Sequence, residues 1–185
     1  MQRILALKSV DWRAFASRER VLAYRDGVLL PHLRRYGWLW AGLVAAILAF
    51  NAFFTLAITV TQSLPQHVFL VVKGDLDLKR GDYFAFHWAG GGPYPAGLSM
   101  VKQVRGMAGD VVTTQSRDIY LNGEYLSTAK RFSKAGAPLA LGRTGVIPPR
   151  HFYAYAPHPD SLDSRFALTG WVSLDRVAGR AIPIF

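Results

Sequence analysis

Cysteine is absent from this chain of 185 residues, which removes disulfide staples, thiolate metal sites and a cysteine nucleophile together. Acidic residues are scarce, 12 Asp and Glu against 22 Lys and Arg, and the five histidines are scattered without the His-x-x-x-His spacing of a metal site. No Gly-x-x-x-x-Gly-Lys phosphate loop occurs, so neither a metal nor another cofactor is expected. There is no Gly-X-Y period and no repeat of solenoid length, and a hydrophobic content of 51% excludes a wholly disordered chain. The length favours one modest folded domain with appendages. The formal net charge of +10 fits nucleic-acid binding, anionic lipid or a positively flanked membrane anchor, and only its distribution separates them.

One long apolar run is present. Trp38 to Val60 carries no charge and a single amide, Asn51, and at about 1.5 Å per residue it can cross a hydrocarbon core of about 30 Å. It is too long for the core of a cleavable signal peptide and is expected to be a transmembrane helix. Ahead of it lie eight basic residues against three acidic ones, with Arg34 and Arg35 at its edge. The positive-inside rule therefore makes residues 1–37 a basic cytoplasmic tail, 38–60 the membrane span and 61–185 an external domain, periplasmic in a Gram-negative cell. Trp38 and Trp40 suit the headgroup boundary. Residues 1–30 mix apolar and basic positions, which fits either a helix lying on anionic lipid or a partly ordered tail, and Pro31 separates them from the span.

Beyond Val60 the texture changes to short runs of Val, Phe and Tyr punctuated by Gly, Pro and Asn-Gly. This pattern predicts a mainly antiparallel β domain. Strands are expected at 67–73, 83–88, 100–105, 110–115, 118–121 and 152–156, with a hairpin at Asn122-Gly123 and surface loops at 89–97 and 133–145. Basic residues here are interspersed with nine of the twelve acidic ones, so no nucleic-acid patch is expected.

Chemistry then rests on a serine and a lysine. Ser63 lies just past the span in Thr61-Gln62-Ser63-Leu64-Pro65, and Lys102 lies among apolar neighbours in Met100-Val101-Lys102-Gln103-Val104. Alone, each has an ordinary explanation as a turn residue or a solvated strand residue. With their surroundings they form four ordered blocks: Ser63-Leu64-Pro65; Leu78-Lys79-Arg80-Gly81-Asp82-Tyr83-Phe84-Ala85-Phe86; Val101-Lys102-Gln103-Val104-Arg105-Gly106-Met107-Ala108-Gly109-Asp110; and Ser161-Leu162-Asp163-Ser164-Arg165 followed by Gly170.

In these blocks, over residues 38–180, the chain resembles the type I signal peptidase family, membrane-anchored serine endopeptidases that use a Ser-Lys dyad. The resemblance implies a signal-peptidase-like antiparallel β domain behind one N-terminal transmembrane helix. It implies Ser63 as nucleophile and Lys102 as general base, and it gives Ser161 the role of orienting the amine. The oxyanion donors are expected to be the backbone N–H of Ser63 and the hydroxyl of Thr61, although Thr61 equally suits the end of the membrane helix. Asp163 and Arg165 are expected to form a supporting ion pair. For catalysis the lysine must be neutral, which burial achieves by disfavouring the charged form.

Two departures from the family pattern stand out. Ala156-Pro157-His158-Pro159 occupies the place of its Gly-Asp-Asn, and Ala167, Leu168 and Thr169 separate Phe166 from Gly170. The His-Pro run, the Ser-x-Pro spacing and the absence of a large insertion make the chain most similar to the conjugative-transfer, TraF-type pilin-processing branch. That branch implies a secreted precursor or prepilin peptide as substrate, membrane lipid and conjugative type IV secretion components as partners, and either hydrolysis or cyclisation as outcome. The alternatives are a housekeeping signal peptidase and a non-catalytic assembly component of an envelope secretion machine.

Overall fold

The computed structural model describes residues 18–59, 61 and 63–184, and the chain divides into two units, Met1–Ala49 and Phe50–Phe185. Of the expected cytoplasmic tail, residues 1–17 lie outside the described residues, as do Val60 and Gln62.

Helix α1 runs Arg18–Phe53, is long and apolar enough to cross a membrane, and buries none of its apolar window against protein. Pro31 does not interrupt it. The five residues before Leu30, Arg25–Leu29, widen into a π turn in which the Leu30 N–H donates to the Arg25 carbonyl. Proline has no N–H to donate one turn back, and the wider turn takes up that irregularity.

The helix ends at Phe53 rather than at Val60, which corrects the expected span. Phe54–Ile58 form strand β1, paired antiparallel with β2 (Val68–Lys73) from Phe54↔Val72 to Ile58↔Val68. An uncharged apolar run does not distinguish helix from strand by itself, and the backbone groups of a neighbouring strand decide for strand here.

Among the described residues nine further strands follow: β3 (Tyr83–His87), β4 (Ser99–Gly106), β5 (Val111–Gln115), β6 (Asp118–Leu121), β7 (Glu124–Thr128), β8 (Gly145–Val146), β9 (His151–Tyr155), β10 (Val172–Ser173) and β11 (Val177–Pro183). Together with β1 and β2 they build an antiparallel seven-stranded sheet, β1-β2-β11-β3-β4-β9-β10, and a four-stranded sheet, β7-β6-β5-β8. The β6–β7 hairpin turns at Asn122 and Gly123, both at positive φ, as the dipeptide predicts. Strand β11 returns from the chain's end to lie between β2 and β3, a placement that no local pattern announces.

At β3 and β4 the large sheet carries a core on each face. Phe84, Phe86, Trp88, Val104 and Phe152 form one core, while Leu64, Phe69, Val71, Ala85 and Val101 form another. A third cluster, including Val112, Ile147, Tyr153 and Phe166, joins the small sheet to β9. Gly106 is required at that junction, because a Cβ there would stand 2.7 Å from Ile147 and 2.8 Å from Tyr153.

The outer face of β1, β2 and β11 is apolar. Register sets Leu56, Leu70 and Ile182 in one row, with Ile58 and Val68 in the next, and Leu56, Ile58 and Ile182 are exposed. An antiparallel sheet facing water would carry polar residues at these positions.

Candidate active site

Ser63 is carried by the loop joining β1 to β2. The Thr59 N–H donates to the His67 carbonyl at 2.8 Å and closes the loop, and Leu64, 3% exposed, plugs the core beneath it. Burial of Leu64 thus fixes the backbone of its neighbour. Lys102 comes from the middle of β4, directly opposite Phe84 on β3, with Val104 on the same face and Val101 on the other. Both residues are buried, Ser63 at 7% and Lys102 at 5% exposure.

The two side chains meet, Lys102 Nζ donating to Ser63 Oγ at 3.4 Å. The Thr61 and Ser63 hydroxyls lie 2.7 Å apart. Ser63 Oγ therefore has a partner on each side and can exchange its proton with either. Burial lowers the Lys102 pKa from 10.5 to about 8; the Asp163 carboxylate opposes this shift and the Arg165 guanidinium assists it. Desolvation wins because the amine has no paired counter-ion of its own, the carboxylate of Asp163 being engaged by Arg165.

That carboxylate is held at 0% exposure. Arg165 Nε donates to it at 2.8 Å and Nη2 at 2.9 Å, and the Ala156 N–H donates to it at 3.1 Å. Arg165 also donates to the carbonyls of Ala156 at 3.2 Å and His158 at 2.9 Å, so the segment 156–159 is tied to the same guanidinium. Ser164 completes the loop by accepting from the Ala154 N–H and donating to the Gly170 carbonyl. The expected ion pair is therefore present and organises the loop behind the lysine.

Ser161 is 3% exposed and lines the same cleft, and its hydroxyl has no hydrogen-bond partner among the described residues, whereas Lys102 meets Ser63.

The cleft has a volume of about 550 Å³ and brings Thr61, Ser63, Lys102 and Ser161 together with apolar walls from Ile58, Tyr94 and Met100. Met100 is legible in the sequence as an apolar neighbour of Lys102, whereas the other two walls are not: the sequence places Ile58 in the membrane span and Tyr94 in a surface loop. Along its floor β4 is half open. Strand β9 pairs with β4 only from Gln103↔Tyr155 onward, leaving residues 99–102 without a strand neighbour on that side among the described residues, where an extended peptide can add.

Residues 33–185 match the family described as signal peptidase, peptidase S26. Among solved structures, a signal peptidase I from Enterococcus faecalis V583 is similar at 24% identity and a TM-score of 0.39, covering 56% of this chain and 96% of its own. No curated protein matches the chain.

Proposed function

Because the chain belongs to the signal peptidase, peptidase S26, family and is a serine peptidase, we propose that Ser63 and Lys102 are its catalytic dyad, cleaving leader peptides from exported precursors. The observation that carries this reading is the buried pair itself, an amine with a pKa of about 8 hydrogen-bonded to a serine hydroxyl at the floor of a peptide-sized cleft.

The neutral amine takes the Ser63 proton as Oγ attacks the scissile carbonyl. The carbonyl oxygen becomes an oxyanion, met by the Ser63 backbone N–H and the Thr61 hydroxyl, which already reaches Oγ. The ammonium then protonates the departing amine. Once acylated, Ser63 is a poor partner for the lysine. The free hydroxyl of Ser161 then takes up the amine and holds it while it activates the second nucleophile.

Residues 1–37 are the cytoplasmic part, the remainder of α1 from Trp38 to Phe53 lies in the anchor, and the domain from β1 onward faces the periplasm at the inner membrane. The charge asymmetry around the span supports this, as does the apolar outer face of β1, β2 and β11 immediately following the helix. The substrate is a conjugative prepilin, released as a linear or cyclic product, with conjugative secretion components as partners. The His158-Pro159 run and the Ser63-Leu64-Pro65 spacing support this finer assignment.

Ser63→Ala and Lys102→Ala should each abolish precursor processing at unchanged protein level, and the double variant should be no worse. Lys102→Arg should also be inactive, since guanidinium does not release its proton near neutral pH. Processing retained in any of these variants refutes the dyad. Growth of peptidase-depleted cells rescued by this chain would replace the prepilin assignment with a housekeeping one.

A further inference from the structure

Beside the serine and lysine, the cleft has a wall to which the reaction assigns nothing. It is Tyr94, carried by the glycine-rich loop that joins β3 to β4. The loop is closed at its base, where the Trp88 N–H donates to the Leu98 carbonyl and the Gly97 N–H to the Trp88 carbonyl, both at 2.8 Å. Inside it, the buried Trp88 indole donates to the Gly91 carbonyl at 3.2 Å, and Gly91 bridges to Tyr94. Tyr94 then leans half-buried on the core that holds Trp88, as do Met100 and Leu162, and all three belong to the apolar lining of the cleft.

The loop is braced from its other side. Phe166, 1% exposed, starts a tight turn closed by N–H donation from Thr169 and Gly170 to its carbonyl, and the Ala167 N–H donates to the Ala140 carbonyl. At the tip of that turn Leu168 rests on the loop: a Cβ at Gly91 would stand 2.8 Å from Leu168 Cδ1, and one at Gly92 3.0 Å from Cδ2. Both glycines also have positive φ, 106° and 62°. A loop that is pinned at its base, tied by an indole and braced by a leucine holds its tyrosine still.

We propose that Tyr94 is a specificity-determining residue, the wall that limits the size of the substrate side chain seated beside the scissile bond, and that Leu168 is its positioning residue. The inference rests on the peptidase reading above and deepens it. A fixed aromatic wall in the cleft that Met100 and Leu162 also line leaves room for a small side chain and collides with a branched one, whereas a wall free to swing would accept both.

The test uses the full-length, detergent-solubilised chain and two synthetic peptides with Ala or Leu immediately before the cleaved bond. Tyr94→Ala should raise the Leu:Ala ratio of kcat/KM at least tenfold, in the range that a few methylenes in an apolar pocket command. Leu168→Ala, outside the cleft, should move the ratio the same way by a smaller factor without moving the midpoint of the pH–rate profile, which a general loss of structure would not spare. Tyr94→Leu keeps an apolar side chain on the core with a shorter reach and guards against misfolding of the alanine variant. An unchanged ratio in both Tyr94 variants overturns the inference. Ser63→Ala separates the two levels: if it cleaves the Ala peptide as well as wild type does, the peptidase reading falls. If it is inactive while the Tyr94 variants keep the wild-type ratio, only the specificity inference falls.

Discussion

Lys102→Met should inactivate the enzyme and stabilise it at neutral pH. The amine is 5% exposed, and burial brings its pKa from 10.5 to about 8. The native state therefore binds the lysine proton more weakly than the unfolded chain does, so stability rises with pH between these two values. At 1.36 kcal/mol per unit, the buried ammonium costs about 3 kcal/mol at pH 7, falling to about 2 kcal/mol at pH 9 and vanishing above the unfolded pKa. Methionine has a similar length and no charge, so it removes that cost and leaves Phe84 opposite and Val104 alongside still packed. Urea unfolding of the detergent-solubilised wild type and variant at pH 7 and pH 9 reads the difference directly. The variant should be the more stable at both, with a margin about 1 kcal/mol smaller at pH 9. On the proposed dyad the same titration should govern rate, since only a neutral amine can accept the Ser63 proton: activity should rise about tenfold per pH unit below a midpoint near 8 and then level off. A stability margin that does not change with pH, together with a flat rate profile, would show that Lys102 is not the titrating base.

Asp163→Asn leaves the Arg165 guanidinium buried without its counter-charge, and thermal or chemical unfolding should show a loss of about 3–5 kcal/mol. Thr61→Val, which removes a hydroxyl 2.7 Å from Ser63 Oγ, should lower kcat by about 10²–10³ with little change in KM, whereas Thr61→Ser should retain most activity; equal kcat in Thr61→Val would remove it from the oxyanion site. Protease added to intact spheroplasts should digest the domain after α1, and its protection there would reverse the proposed topology.

Much of this protein is determined by local pattern. The absence of cysteine, the uncharged run before Val60 and the arginines ahead of it need no tertiary information to be read, because membrane thickness and charge asymmetry act on the chain one segment at a time. The strands at Tyr83, Asp118 and His151 and the Asn122-Gly123 turn follow from alternation and backbone preference, and they lie within a residue or two of where the sequence places them. The four blocks name Ser63 and Lys102 as candidates, though not their distance.

What tertiary structure alone decides is everything that depends on a partner far along the chain. Phe54–Ile58 is apolar enough for a helix and becomes a strand because β2 offers it a ladder; β11 finds its place between β2 and β3 by pairing across more than half the chain. Met100 and Val104 share a face with Lys102 while Val101 does not, and that parity, together with Phe84 opposite, surrounds the amine and lowers its pKa. Ser161 shows the same limit in reverse. Its block is legible in the sequence, yet whether its hydroxyl meets the amine is set by a loop conformation that Arg165 fixes through the carbonyls of Ala156 and His158, and among the described residues that hydroxyl has no partner. Residue types and their order can be read along one dimension. A pKa, a shared proton and a wall such as Tyr94 depend on distances between segments that only folding brings together.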